Sequence, residues 1–178
     1  MKLKLFIAVL ALTALESSAQ IINCHPSESF WIIENNNSSY AMLINGEAEQ
    51  KSATQISYNN TIINYEFIIP DSKGQNDAES NILVNFMSKI ASDNHVPGTN
   101  INSKMKKTQD GKPLTIIAVP ISEEKGVKII VATVLNGNLI SISAHVAKEE
   151  KMGETATLLE DLILSAKKIE SKENLCSK

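Results

Sequence analysis

The 178-residue chain carries 17 basic and 20 acidic residues, a formal charge of −3, and no arginine. Arginine's forked guanidinium is the usual grip on phosphates and guanine edges, so an acidic chain without it is unsuited to nucleic acid or to a strongly anionic membrane surface. Abundant Asn, Lys and Ile also fit AT-rich coding, and the length suits one domain with a real core.

Lys2 and Lys4 precede an apolar and small-residue run over 5–15 that is interrupted only by Thr13. Ser17 and Ala19 then supply the small residues that a signal peptidase reads. The pattern predicts export, with cleavage between Ala19 and Gln20, and a periplasmic or secreted product. As a helix the run rises about 17 Å, far short of a ~30 Å hydrocarbon core, so no membrane span is expected after cleavage. Cys24 follows Ile22 and Asn23 and not a small-residue lipobox, which argues against lipid attachment. Removing Lys2, Lys4 and Glu16 leaves 159 residues with 15 lysines against 19 acids, a charge of −4. In an oxidising compartment Cys24 and Cys176 either form one disulfide or remain two thiols on frayed tails. A bridge closing so long a loop is worth about 5 kcal/mol by chain entropy. No CxxC, HxH or HExxH spacing occurs, and neither a metal nor a cofactor is expected.

Residues 20–29 read as irregular, broken by Pro26 and the polar stretch after it. The apolar runs 30–33 and 40–44 fit strands or helical turns equally well. Asn45-Gly46 marks a turn. Segments 55–58 and 61–69 flank Asn59-Asn60 as a hairpin, and Ile63, Tyr65, Phe67 and Ile69 give the second strand an apolar face. A helix starts near Asn76 or Asp77, where Asn76 and Glu79 have capping-box spacing. Ile82, Leu83, Phe86, Met87, Ile90 and Ala91 lie on one face of it. Asp110-Gly111 turns a weak strand (101–108) into a strong one (114–119), and Pro120 and Gly126 bracket a loop. Segment 127–135 is apolar on both faces, as in a doubly covered strand.

Asn136-Gly137 is the strongest hairpin signal, because both residues enter the left-handed region that a type I′ turn requires. A two-residue loop there sets Val131 opposite Ile142, Ile129 opposite Ala144, Thr133 opposite Ile140, Ile130 opposite Ser143 and Ala132 opposite Ser141. A last helix runs over 155–170, with Leu158, Leu159, Leu162, Ile163, Ala166 and Ile169 as its buried stripe. Lys167 and Lys168 are placed in its final turns, facing the helix dipole. The chain thus divides into a signal peptide (1–19), an irregular segment (20–29), a single α+β domain (30–170) and a polar tail (171–178). The expected fold is an antiparallel sheet with two main helices packed against it.

The segments 65–70, 126–135, 138–144 and 158–165, in that order with a helix before the second, resemble the PsbP/DcrB-like α/β/α sandwich over residues 61–170. The resemblance implies a non-enzymatic exported or accessory binding domain.

Among possible catalytic groups, His25 and His95 sit in polar surroundings of no distinctive pattern. His145 shares a strand face with Ser141 and Ser143. Residues two apart on a strand are separated by roughly 6–7 Å, which is too far for a direct Ser–His bond without favourable side-chain reach. No nucleophile-elbow pattern is present, and the alternative is a plain polar sheet face. Glu123-Glu124 and Glu149-Glu150 read as solvated pairs, and Lys104, Lys106 and Lys107 as a modest basic patch that serves either solubility or the guarding of an edge strand. Phe30, Trp31 and Tyr40 either form an exposed recognition surface or pack into the core with Phe67 and Phe86. Glycosylation sequons occur at Asn36, Asn37 and Asn59. The sequence therefore favours an exported binding module acting on another protein, such as an envelope accessory or a toxin-neutralising immunity protein. The alternatives are a hydrolase using His145 and a carrier of a small apolar ligand.

Overall fold

The computed structural model describes residues 18–25, 27–35, 38–68, 79–93, 102–108, 111–121, 126–147 and 151–176. Six strands come first: β1 (Ser18–His25), β2 (Glu28–Asn35), β3 (Ser38–Asn45), β4 (Ala48–Ser52), β5 (Gln55–Tyr58) and β6 (Thr61–Ile68). Helix α1 (Glu79–Asp93) follows, then β7 (Asn102–Lys107), β8 (Pro113–Ile121), β9 (Gly126–Leu135) and β10 (Asn138–Val146). Helix α2 (Met152–Leu164) and the short β11 (Lys167–Ile169) complete the order. The strands form two antiparallel sheets, β1-β2-β3-β11 and β4-β5-β6-β10-β9-β8-β7. The fold is α+β, with two helices and antiparallel sheets.

The β9–β10 hairpin explains why the large sheet can be covered on both sides. Asn136 (φ 51°) and Gly137 (φ 76°) form its two-residue turn. The register it imposes pairs Val131 with Ile142, Ile129 with Ala144, Thr133 with Ile140, Ile130 with Ser143 and Ala132 with Ser141, as the loop length predicts. Residues of β9 therefore alternate between two cores. Ile130, Ala132 and Val134 meet Ile82, Leu83 and Phe86 of α1. Ile129 and Val131 meet Leu159, Leu162 and Ile163 of α2, together with Trp31, Tyr40, Met42 and Ile44 of the small sheet. The layers run α1, large sheet, then α2 beside the small sheet.

Three sequence expectations change. Residues 20–29 are not irregular: β1 pairs with β2 from Ser18↔Glu34 to His25↔Glu28, and a bulge falls between Asn23 and His25. Polar residues inside this pair satisfy each other, as where Ser29 Oγ donates to Asn23 Oδ1 at 2.7 Å. The last helix ends at Leu164, not near 170. The Ser165 hydroxyl donates to Leu162 O at 2.6 Å and accepts the Leu43 N–H at 2.8 Å, so the chain docks on β3 and continues as β11. Lys167 and Lys168 accordingly lie on a strand and not at a helix terminus. Pro120 lies inside β8, not in a loop. Among the described residues the β7–β8 ladder ends at Asn102↔Ala118, while β9 continues beside Pro120 at Val127.

Edges and ends complete the frame. Lys104, Lys106 and Lys107 lie on β7, an edge strand of the large sheet, and Lys106 pairs with Glu160 of α2. Cys24 and Cys176 form a disulfide. Lys172 Nζ meets Glu34 Oε2 at 2.8 Å. The tail thus runs from β11 at one edge of the small sheet, past β2, to β1 at the other edge. Ile32, on the same outward side of β2 as Glu34, belongs to neither core, yet it is fully buried. No helix of the described residues is long and apolar enough to cross a membrane. Residues 1–17, the helix cap at Asn76, His95, and the sequons at Asn36 and Asn37 lie outside the described residues. The expected cleavage bond, Ala19–Gln20, falls within β1.

Candidate functional site

At one end of the large sheet a cleft of about 810 Å³ opens where β6 begins, β10 ends and α2 starts. The β5–β6 turn supplies Asn59 and Asn60, with φ of 48° and 58°, a conformation that asparagine tolerates better than most residues. Tyr58↔Thr61 pairing fixes the turn at two residues, and Thr61 Oγ1 donates to Asn59 O at 3.4 Å. Ile62 and Asn64 follow along β6; Ile62 is 43% exposed, a large apolar side chain left facing the opening. Gln55 Nε2 donates to Asn64 Oδ1 at 2.8 Å, which fixes the orientation of that amide. His145, Val146 and Ala147 close β10, and Lys151, Glu154, Thr155 and Leu158 come from the first turns of α2.

His145 is held against β9. A methyl group on Gly126 would collide with its Nε2 and come within 2.9 Å of Val146 O. Glycine at 126 thus makes room for the imidazole. We expect Gly126→Ala to destabilise the fold by about 1–3 kcal/mol, as measured by urea denaturation. Gly126→Ala with His145→Ala should recover only part of this, because the Val146 carbonyl stays in the way.

The sequence candidates separate. Ser141 is 3% exposed, between Ala132 and Glu66 in the ladder, and Ser143 sits between Ile130 and Asn64. Neither serine lines the cleft, whereas His145 does. The cleft instead brings His145 together with Glu154, Thr61 and Thr155, a set that no short-range spacing in the sequence announces. Of the proposed aromatic surface, Trp31 and Tyr40 are fully buried in the core, and only Phe30 keeps partial exposure. The Trp31 ring meets Tyr65 edge-on at 5.5 Å, and Tyr40 Oη donates to Leu135 O at 3.0 Å. A recognition surface made of the three is therefore replaced by a packing role for two of them. Among the described residues no group of His, Cys, Asp and Glu is arranged to hold a metal ion.

Chemically the cleft is rich in groups that both donate and accept. Among the described residues three asparagines and two threonines line it with Lys151 and Glu154, beside the apolar Ile62 and Leu158. Such a lining favours a ligand with alternating donors and acceptors.

No protein-family model matches the sequence, and neither does any curated protein. Among solved structures, the solution structure of cyanobacterial PsbP (CyanoP) from Synechocystis sp. PCC 6803 is similar over 90% of this chain and 96% of its own. The TM-score is 0.42 and the identity 12%.

Proposed function

We propose that this chain is a non-enzymatic binding module that works outside the cytoplasm and grips a partner protein through the cleft at the β6–β10–α2 junction. The observation that carries the reading is the lining. Asn59, Asn60 and Asn64 present amides whose donors and acceptors match those of a peptide backbone, with Ile62 exposed among them. An envelope accessory protein and a toxin-neutralising immunity protein both fit this role. The disulfide supports an oxidising compartment, since structural disulfides are rare where thiols are kept reduced.

The test uses the chain from Gln20 onward as bait in its native extract, beside an Asn60→Ala/Lys151→Glu variant of equal stability. A partner retained by the first and reduced at least about tenfold by the second, roughly 1.4 kcal/mol, supports the reading. Equal retention of every protein by both baits would refute it. A second reading, hydrolysis with His145 as base, is favoured by Glu154 and Thr155 lining the same cleft. It requires an activity that His145→Ala abolishes while the partner is still retained.

A further inference from the structure

Five serine and threonine side chains are buried among the described residues: Ser29, Thr115, Thr133, Ser141 and Thr155. Three have partners, since Ser29 donates to Asn23 Oδ1, Thr115 to Met87 Sδ and Thr133 to Pro113 O. Ser141 and Thr155 have none among the described residues. Ser141 lies within the sheet ladder, away from the cleft, whereas Thr155 lines the cleft at the β6–β10–α2 junction. Thr155 is only 8% exposed, and it opens the buried stripe of α2 that continues at Leu159, Leu162 and Ile163. Packing alone would be served there by valine, which has the same shape and the same β-branched restriction. A hydroxyl on a helix also has a local outlet in the carbonyl four residues earlier, as where Ser88 donates to Val84 O at 3.0 Å in α1. Thr155 does not use it. Its hydrogen-bonding capacity is thus unspent in a cleft whose lining also includes the apolar Val146 and Leu158.

On the reading of this cleft as a partner's docking site, on which this step rests, we infer that Thr155 determines specificity and receives a carboxamide side chain of the partner, asparagine or glutamine. A carboxamide carries both a donor and an acceptor, so it meets both halves of the hydroxyl's capacity and pairs equally with the amides of Asn59, Asn60 and Asn64. A buried polar group that only the ligand satisfies rejects an isostere without hydrogen-bonding atoms, because the group is then left unpaired. Leucine, branched like asparagine and close to it in size, is that isostere.

The experiment titrates N-acetylasparaginamide and N-acetylleucinamide separately into the full folded protein, followed by amide NMR. In the parent, saturable shifts at Thr155 and His145 are expected with the asparagine probe, at an affinity at least about tenfold above that for the leucine probe. Thr155→Val should remove this preference while melting at or above the parent's temperature, since the free protein loses no hydrogen bond. Thr155→Ser, which keeps the hydroxyl, should retain the preference. A Thr155→Val variant that melts well below the parent overturns the inference, because the hydroxyl would then be satisfied within the fold. A parent that binds neither probe, or both equally, also overturns it, as does a Thr155→Val variant that keeps the preference. The capture with Asn60→Ala/Lys151→Glu tells the two readings apart. Loss of the partner there without probe preference here removes the role of Thr155 and leaves the docking cleft standing, whereas equal retention there removes the docking cleft itself.

Discussion

Replacing Trp31 with alanine is expected to lower stability by about 3–5 kcal/mol, whereas Phe30→Ala, one residue away, should cost far less. Alternation on β2 accounts for the difference. Trp31 faces the shared core with Ile33, packs edge-on against Tyr65, and pairs across the sheet with Met42 on β3 and Ile21 on β1. Phe30 lies on the opposite side of the strand and stays partly exposed. Truncating the indole leaves a cavity where the small sheet, the large sheet and α2 meet, which rigid strands cannot close. Urea denaturation followed by far-UV circular dichroism gives both values, and comparable losses at the two positions would contradict the burial described for Trp31. The same experiment separates packing from recognition, because Trp31→Ala should act on partner binding only through the fraction of folded protein.

The second large effect is expected at the disulfide. Cys24→Ser or Cys176→Ser should lower stability by about 2–5 kcal/mol, a fall in Tm of roughly 5–15 °C for a domain of this size. The bridged residues are 152 apart in sequence, so the cross-link removes conformations from nearly the whole unfolded chain. It also ties the tail to β1. Reducing agent should bring the parent protein to the melting temperature of the variant and leave the variant unchanged. A parent whose melting ignores reductant would show that the bridge contributes nothing.

Where local chemistry determines structure, the residues reveal it beforehand. Asn136-Gly137 fixes a turn, the turn fixes a register, and every cross-strand pair from Val131↔Ile142 to Ala132↔Ser141 follows. The stripe from Ile82 to Ile90 likewise turns toward the sheet. What stays hidden is set by distant partners. β1 is a strand because β2 lies beside it, and its polar residues are satisfied across that pair, so no alternation marks it. The apolar stripe of α2 continues through Ala166 and Ile169 although the helix has ended. Ser165 meets the Leu43 amide 122 residues away, Ala166 is buried just beyond the helix, and Ile169 is half-buried on β11. The cleft is illegible for a related reason. Its asparagines, its histidine and its glutamate come from three elements that only the assembled sheet and α2 bring together. The placement of Trp31 and Tyr40 shows the opposite limit, since aromatic composition alone does not distinguish an anchor for a partner from one for the core.

Both extremities of the polypeptide contribute to the same small sheet, β1 from the beginning and β11 from the end. That sheet is therefore incomplete until β11 has met β3, far from it in sequence, whereas the β9–β10 hairpin needs only its own twenty-one residues, 126–146. A sheet closed by such distant pairing forms more slowly than a local hairpin, because the loop-closure entropy has to be met first.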